Sequence, residues 1–194
     1  MATRFCLSPI LGLTFCLTLW SATALAESCF RSDLRTELFD AMTYCASSAL
    51  PSQGAGNYGP GNLSHDGKGS GAWCEGVAGT GVGEWFSVRV EPRKRIRSIV
   101  IENGYQKSDK AFYSNSRLKR VVVSTDAGDK VVAVLADRRG EQRVRLPRWT
   151  DVNTVKVTIL SVYPGENYGD TCVSGFYADL EEWRTEEYRR QGIR

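Results

Sequence analysis

Trp85-Phe86-Ser87-Val88-Arg89-Val90-Glu91-Pro92 alternates apolar and polar residues with a period of two. In an extended chain Phe86, Val88 and Val90 face one side while Ser87 and Arg89 face the other, the pattern of a half-buried β-strand. Pro92 has no N–H to give to a ladder, so Glu91-Pro92 reads as a break. The same reading recurs downstream and predicts strands at Ile96–Glu102, Leu118–Thr125, Lys130–Ala136, Glu141–Leu146, Val152–Tyr163 and Cys172–Leu180. Asn103-Gly104, Asp126-Ala127-Gly128-Asp129, Arg139-Gly140 and Pro164-Gly165 supply turn chemistry between them. Strands joined by short turns, with no helix between them, predict an all-β fold: an antiparallel β-sandwich or jelly roll.

Upstream of this region the composition changes. Residues 47–83 are rich in glycine, serine and asparagine, and Tyr58, Trp73, Val77 and Val82 predict an ordered loop anchored by its side chains. Residues 27–45 read as a helix, because Phe30, Leu34, Leu38, Ala41 and Met42 share one stripe behind a Ser32 N-cap. At the other end, residues 181–194 form a charged, helix-prone tail in which Trp183 and Tyr188 are candidate docking residues.

The first 26 residues read as a signal peptide. Arg4 precedes an apolar run from Leu7 to Trp20, and Ala24-Leu25-Ala26 offers small residues at a cleavage site. The expected mature protein begins at Glu27, is secreted or periplasmic, and has the size of one domain, with a sandwich over residues 46–180. Of six cysteines, Cys29, Cys45, Cys74 and Cys172 remain after cleavage, an even set in an exported chain, so disulfides are expected. Three connectivities are open. An unbroken helix from Cys29 to Cys45 would part their Cα atoms by about 24 Å, whereas bridged cysteines lie within about 7 Å. Either the helix is short and the chain doubles back, or these two pair elsewhere.

The net charge of +3 forces neither nucleic acid nor an anionic membrane as partner, and no nucleic-acid partner is expected. Arg93-Lys94-Arg95 with Arg97 is a short basic run flanked by Glu91 and Glu102, a solvated turn. Catalytic equipment is sparse. His65 is the single histidine and sits in a loop-like Asn62-Leu63-Ser64-His65-Asp66-Gly67 with no nucleophile elbow beside it, so neither a triad nor a zinc site is expected. Gly79-Thr80-Gly81-Val82-Gly83 runs into a strand rather than opening a helix, so it lacks the N-terminus that would hold a phosphate. Aromatic and polar residues do gather at the turns Asn103–Lys107, Phe112–Arg117 and Tyr163–Asp170. A flat ring for the C–H face of a sugar, with planar donors and acceptors nearby, is what glycan recognition requires.

Eight blocks in order carry a resemblance. They include Asn57-Tyr58-Gly59-Pro60, Ala72-Trp73-Cys74-Glu75-Gly76, Gly79…Gly81-Val82-Gly83-Glu84-Trp85, Asn103-Gly104-Tyr105-Gln106-Lys107-Ser108, Tyr113…Asn115-Ser116-Arg117 and Val162-Tyr163-Pro164-Gly165…Asp170-Thr171-Cys172. Over Cys45 to Leu180 the chain resembles the NADase-type glycan-binding domain, a discoidin-like module. The resemblance implies a galactose-binding-like jelly roll, non-catalytic and directed at a glycan, with Tyr105, Lys107, Asn115, Arg117 and Tyr163 as candidate ligand residues. Protein- or lipid-surface recognition is the second reading it implies, so a membrane-surface partner stays open; apart from the resemblance, an undetected hydrolase is the third reading, and a monomer is expected. No cofactor is expected beyond a candidate structural calcium at Asp66, a hard oxygen ligand, although Gly175 stands where relatives carry the partner glutamate. The resemblance also brings Cys74 and Cys172 together, leaving Cys29 with Cys45, and puts Trp73 and Trp85 in the core beside the bridge.

Overall fold

The computed structural model describes residues 27–32, 35, 39–54, 56–64 and 71–192. Those residues form eight strands, β1 (Ser28–Ser32), β2 (Ala41–Ala46), β3 (Trp73–Cys74), β4 (Trp85–Asn103), β5 (Arg117–Thr125), β6 (Lys130–Val134), β7 (Glu141–Tyr163) and β8 (Cys172–Ala178), with a 3-10 helix at Pro60–Leu63 and two α-helices, α1 (Asp109–Ser114) and α2 (Leu180–Arg190). The ladder runs β1-β2-β4-β7-β5-β6, and β8 pairs with both β4 and β3. Every pairing between these strands is antiparallel.

β4 and β7 each serve two layers, because both are long and bend together. The first half of β4 pairs β2 and the second half of β7; the second half of β4 pairs β8 and the first half of β7. The two strands predicted on either side of Glu91-Pro92 are thus one strand, with the ladder slipping between Arg89 and Lys94. The predicted strands Glu141–Leu146 and Val152–Tyr163 are likewise one, β7. Bulges absorb the residues whose N–H is missing or turned away, so a proline marks a corner here rather than an end. Between the layers Phe86, Val88, Ile99, Ile101, Val121, Val123, Val157, Ile159 and Phe176 are buried, with Phe86 touching Trp73 and Phe176 at 5.1 Å between ring centroids.

The helix expected over residues 27–45 is instead the β1–β2 hairpin. Met42, Tyr44 and Ala46 are buried while Thr43 and Cys45 are half-exposed, a period of two set by pairing with β4. That pairing outweighs the apparent helical stripe, two members of which, Leu34 and Leu38, lie outside the described residues. Cys29 stands directly opposite Cys45 and is bridged to it, with 4.1 Å between Cα atoms; Cys74 is bridged to Cys172 across β3 and β8. Glu27 lies near the first bridge, but sulfurs bonded to each other are not thiolate metal ligands.

Three further expectations change. The loop between β4 and β5 contains α1, capped by the Ser108 hydroxyl, which accepts from the N–H of Ala111 at 3.1 Å. Trp73 is fully buried, its indole N–H donating to the Ser48 carbonyl, but Trp85 is half-exposed with the Lys156 ammonium 4.3 Å from its ring centroid. Trp85 faces outward because its neighbour on β4, Phe86, takes the inward position. In α2, Trp183 packs on the core while Tyr188 is exposed and does not dock. Asp179 caps this helix, and glutamates in its first turn and arginines in its last suit the helix dipole.

Candidate functional site

The loops leaving β3, β4 and β7 are tied to one another around the Cys74–Cys172 bridge. Ser116 N–H donates to the Asp170 carbonyl and Cys172 N–H to the Ser116 carbonyl. Gly104 N–H donates to the Cys172 carbonyl, and Gln106 N–H to the Ser174 hydroxyl. Gly169 passes so close to Gly79 that a Cβ there would lie 2.8 Å from the Gly79 carbonyl oxygen. Thr171 donates its hydroxyl to the Thr80 carbonyl at 2.8 Å.

Glu75 is the hub of this knot. It is fully buried, and its carboxylate accepts from the N–H groups of Val77 at 2.8 Å and Thr171 at 3.2 Å. Gly81, with φ of +66°, leaves room against the Glu75 side chain that no Cβ could share. Burial pushes the Glu75 carboxyl up to about 7, the two N–H bonds pulling the other way and the nearby Asp170 and Glu84 charges adding to the rise. Glu84 in turn accepts from the Ser47 hydroxyl at 2.7 Å and from that of Ser48.

Arg117 holds the second knot. Only 5% exposed, it makes a bidentate pair with Asp137 at 2.9 and 2.7 Å. Its remaining donors reach the carbonyls of Asn115 and Pro164, and the guanidinium lies over the Phe112 and Tyr113 rings. A side chain so fully engaged orients the loops rather than offering a free fork to a ligand. Replacing Arg117 by alanine should cost about 2 kcal/mol, since Asp137 keeps some solvent while two carbonyls lose a donor. Urea unfolding measures this; a loss no greater than that of an exposed arginine such as Arg138 would mean the network is not structural.

The other predicted ligand residues fall on both flanks of Arg117. Tyr105 is half-buried, edge-on to Tyr58 with 6.5 Å between centroids, and packs against Ala72 and the bridge. Lys107 is exposed. Asn115 is half-buried and donates from its amide to the Ala111 carbonyl. Tyr163 donates its hydroxyl to the Leu135 carbonyl at 3.0 Å, with Lys119 over its ring. Val82, expected to anchor its loop, is instead exposed at the tip. Asp66 and His65 lie outside the described residues; on the last strand, a Cβ at Gly175 would stand 3.0 Å from the Glu102 carboxyl.

Two exposed rings were missed in the sequence. Tyr113 and Tyr168 are 44% and 58% exposed, and both loops hang on the same short backbone. Glu166 N–H donates to the Tyr113 carbonyl, Tyr168 N–H to the Ser114 carbonyl at 2.9 Å, and the Asn167 amide to the Ser114 hydroxyl at 3.0 Å. Their only sequence signal was position inside the aromatic turns, which does not tell an outward ring from an inward one.

A jelly roll whose loop end is stapled by a disulfide, with aromatic side chains presented from rigid turns, is the architecture of an F5/8 type C module. Residues 37–179 match the NAD glycohydrolase translocation F5/8 type C domain, and the chain belongs to that family. No curated protein matches it. Solved structures with this fold include the family 32 carbohydrate-binding module of NanJ from C. perfringens in complex with galactose, at 16% identity and a TM-score of 0.52, over 71% of this chain and 92% of that one. The Clostridium perfringens module CpGH89CBM32-5, in complex with GalNAc-β-1,3-galactose, gives 16% and 0.51 over 71% and 94%. At such identities the likeness is one of fold.

Proposed function

We propose that this chain is an exported, non-catalytic carbohydrate-binding module that takes its glycan at the loop end around Ser114. The paired exposed tyrosines Tyr113 and Tyr168, fixed through the Ser114 backbone, carry this reading. A rigid ring costs little entropy to present and offers the flat apolar face that a pyranose stacks on. Lys107, Glu166 and Asn167, all exposed on the same loops, supply donors and acceptors for hydroxyls. Arg117, Asn115 and Tyr163 position these loops, and Tyr105 braces them against the bridge. Two disulfides support export into an oxidising compartment. The neighbours solved with galactose and GalNAc-galactose make those sugars the first ligands to try.

On a glycan array the protein should give a reproducible ligand, and Tyr168→Ala should weaken it roughly three- to tenfold, the usual worth of one aromatic contact. Arrays run with and without calcium also test Asp66 as a metal ligand. No binding to any glycan, or equal binding by Tyr168→Ala and Tyr113→Ala, would count against the loop-end site. The exposed Val82 at the tip of Gly81-Val82-Gly83 favours lipid-surface recognition as a second reading, which vesicle co-sedimentation of wild type and Val82→Asp decides.

A further inference from the structure

We infer that the groove between α2 and the first half of β7 is a second saccharide-binding site, separate from the loop end. The groove has a volume of about 390 Å³, at the small end of the roughly 300–1,000 Å³ of ligand pockets and suited to one or two sugar rings. Arg143, Arg145 and Trp149 of β7 face Glu181, Glu186 and Arg189 of α2 across it. Trp149 also lines a smaller cleft with Arg95, whose guanidinium lies 5.9 Å from the indole centroid. The indole is thus braced from one cleft and contributes to the wall of the other.

The charges select the ligand class. Arg143 pairs with Asp179, Arg145 with Glu182 and Arg189 with Glu186, so each cation in the groove is matched by a carboxylate. A phosphate or an acidic peptide would meet a carboxylate beside every arginine and gain little. The same array suits an uncharged ligand rich in hydroxyls. The three guanidinium groups are largely exposed, and a guanidinium has five N–H donors, more than its single carboxylate contact consumes. The carboxylates accept from hydroxyls in turn, and the indole takes an apolar C–H face. A neutral sugar combines these features. α2 begins at Leu180, just past the family match that ends at residue 179, so this wall lies outside the matched residues. Most of β7 separates Trp149 from Tyr163, which keeps the groove apart from the loop end.

The test uses the mature chain and ligand titrations followed by NMR at the tryptophan indole N–H signals, assigned with Trp149→Phe. Galactose, N-acetylgalactosamine, N-acetylglucosamine, glucose and mannose are each added to tens of millimolar. At least one should shift the Trp149 indole signal along a saturable curve, with a dissociation constant of roughly millimolar order for so small a ligand. Thr185→Trp fills the groove from an exposed helix position without touching the core and should weaken that binding about tenfold. Tyr168→Ala should leave it unchanged, which separates this site from the loop end whether or not the latter binds sugar. Absence of any saturable shift at Trp149, or a Thr185→Trp variant that binds as wild type does, would overturn the site.

Discussion

Removing the Cys74–Cys172 bridge is expected to destabilise the protein by about 4 kcal/mol, more than removing Cys29–Cys45. The two cysteines are 98 residues apart in sequence, against 16 for the other pair. Closing the longer loop takes more entropy from the unfolded chain, and the chain-entropy relation puts the difference at about 1.5 kcal/mol. Position adds to length. The long bridge joins β3 to β8 where the three loops of the candidate site cross, whereas Cys29–Cys45 joins neighbouring strands already held by a ladder. Guanidinium unfolding of Cys74→Ala/Cys172→Ala and Cys29→Ala/Cys45→Ala measures both. The opposite order would show that residual structure in the unfolded chain, and not loop closure, governs the effect. Glycan binding should fall with the first double variant and survive in the second.

Glu75 should make the protein more stable in mild acid than in mild base. Its carboxyl titrates near 7 in the folded chain against an ordinary value of 4.5. The folded state therefore holds a proton that the unfolded state has already lost between those values. Stability from this group is complete below about pH 4.5, declines as the pH rises, and is lost above about pH 7. The full swing is of order 3 kcal/mol, because among the described residues the ionised form is held by two backbone N–H groups and by no cation. Melting temperatures taken between about pH 5 and pH 8 should fall for the wild type. Glu75→Gln, which resembles the protonated form, should flatten the curve. A wild-type profile that stays level or rises over this window would mean that Glu75 remains ionised. As Glu75 ties residues 75–81 to Thr171, loosening at high pH should appear first in the loops of the candidate site.

Much of the sandwich was legible because alternation of apolar residues reports burial directly. Val121 and Val123 or Val155, Val157 and Ile159 could face only one way without exposing a row of aliphatic side chains. The β1–β2 hairpin was not legible. Its apolar residues suit a helical stripe as well as a strand, and pairing with β4, more than forty residues downstream, decided between them. The site was legible as a set of turns but not as a set of roles. Arg117 has the composition of a ligand residue, yet folding buries it and brings Asp137, Asn115 and Pro164 around it to engage four of its five donors.

What the amino-acid sequence determined by itself was an all-β chain with turn-borne aromatics, little catalytic equipment and cysteines suited to export. Periodicity, turn chemistry and residue counts are local properties, and local sterics and solvation read them. Only the tertiary structure decided which tyrosines face solvent, which carboxyl is buried with backbone N–H groups as its partners, and that α2 closes a groove over Trp149. Those outcomes depend on contacts between residues far apart in the chain, where burial and hydrogen-bond partners are assigned by packing and not by neighbours in sequence.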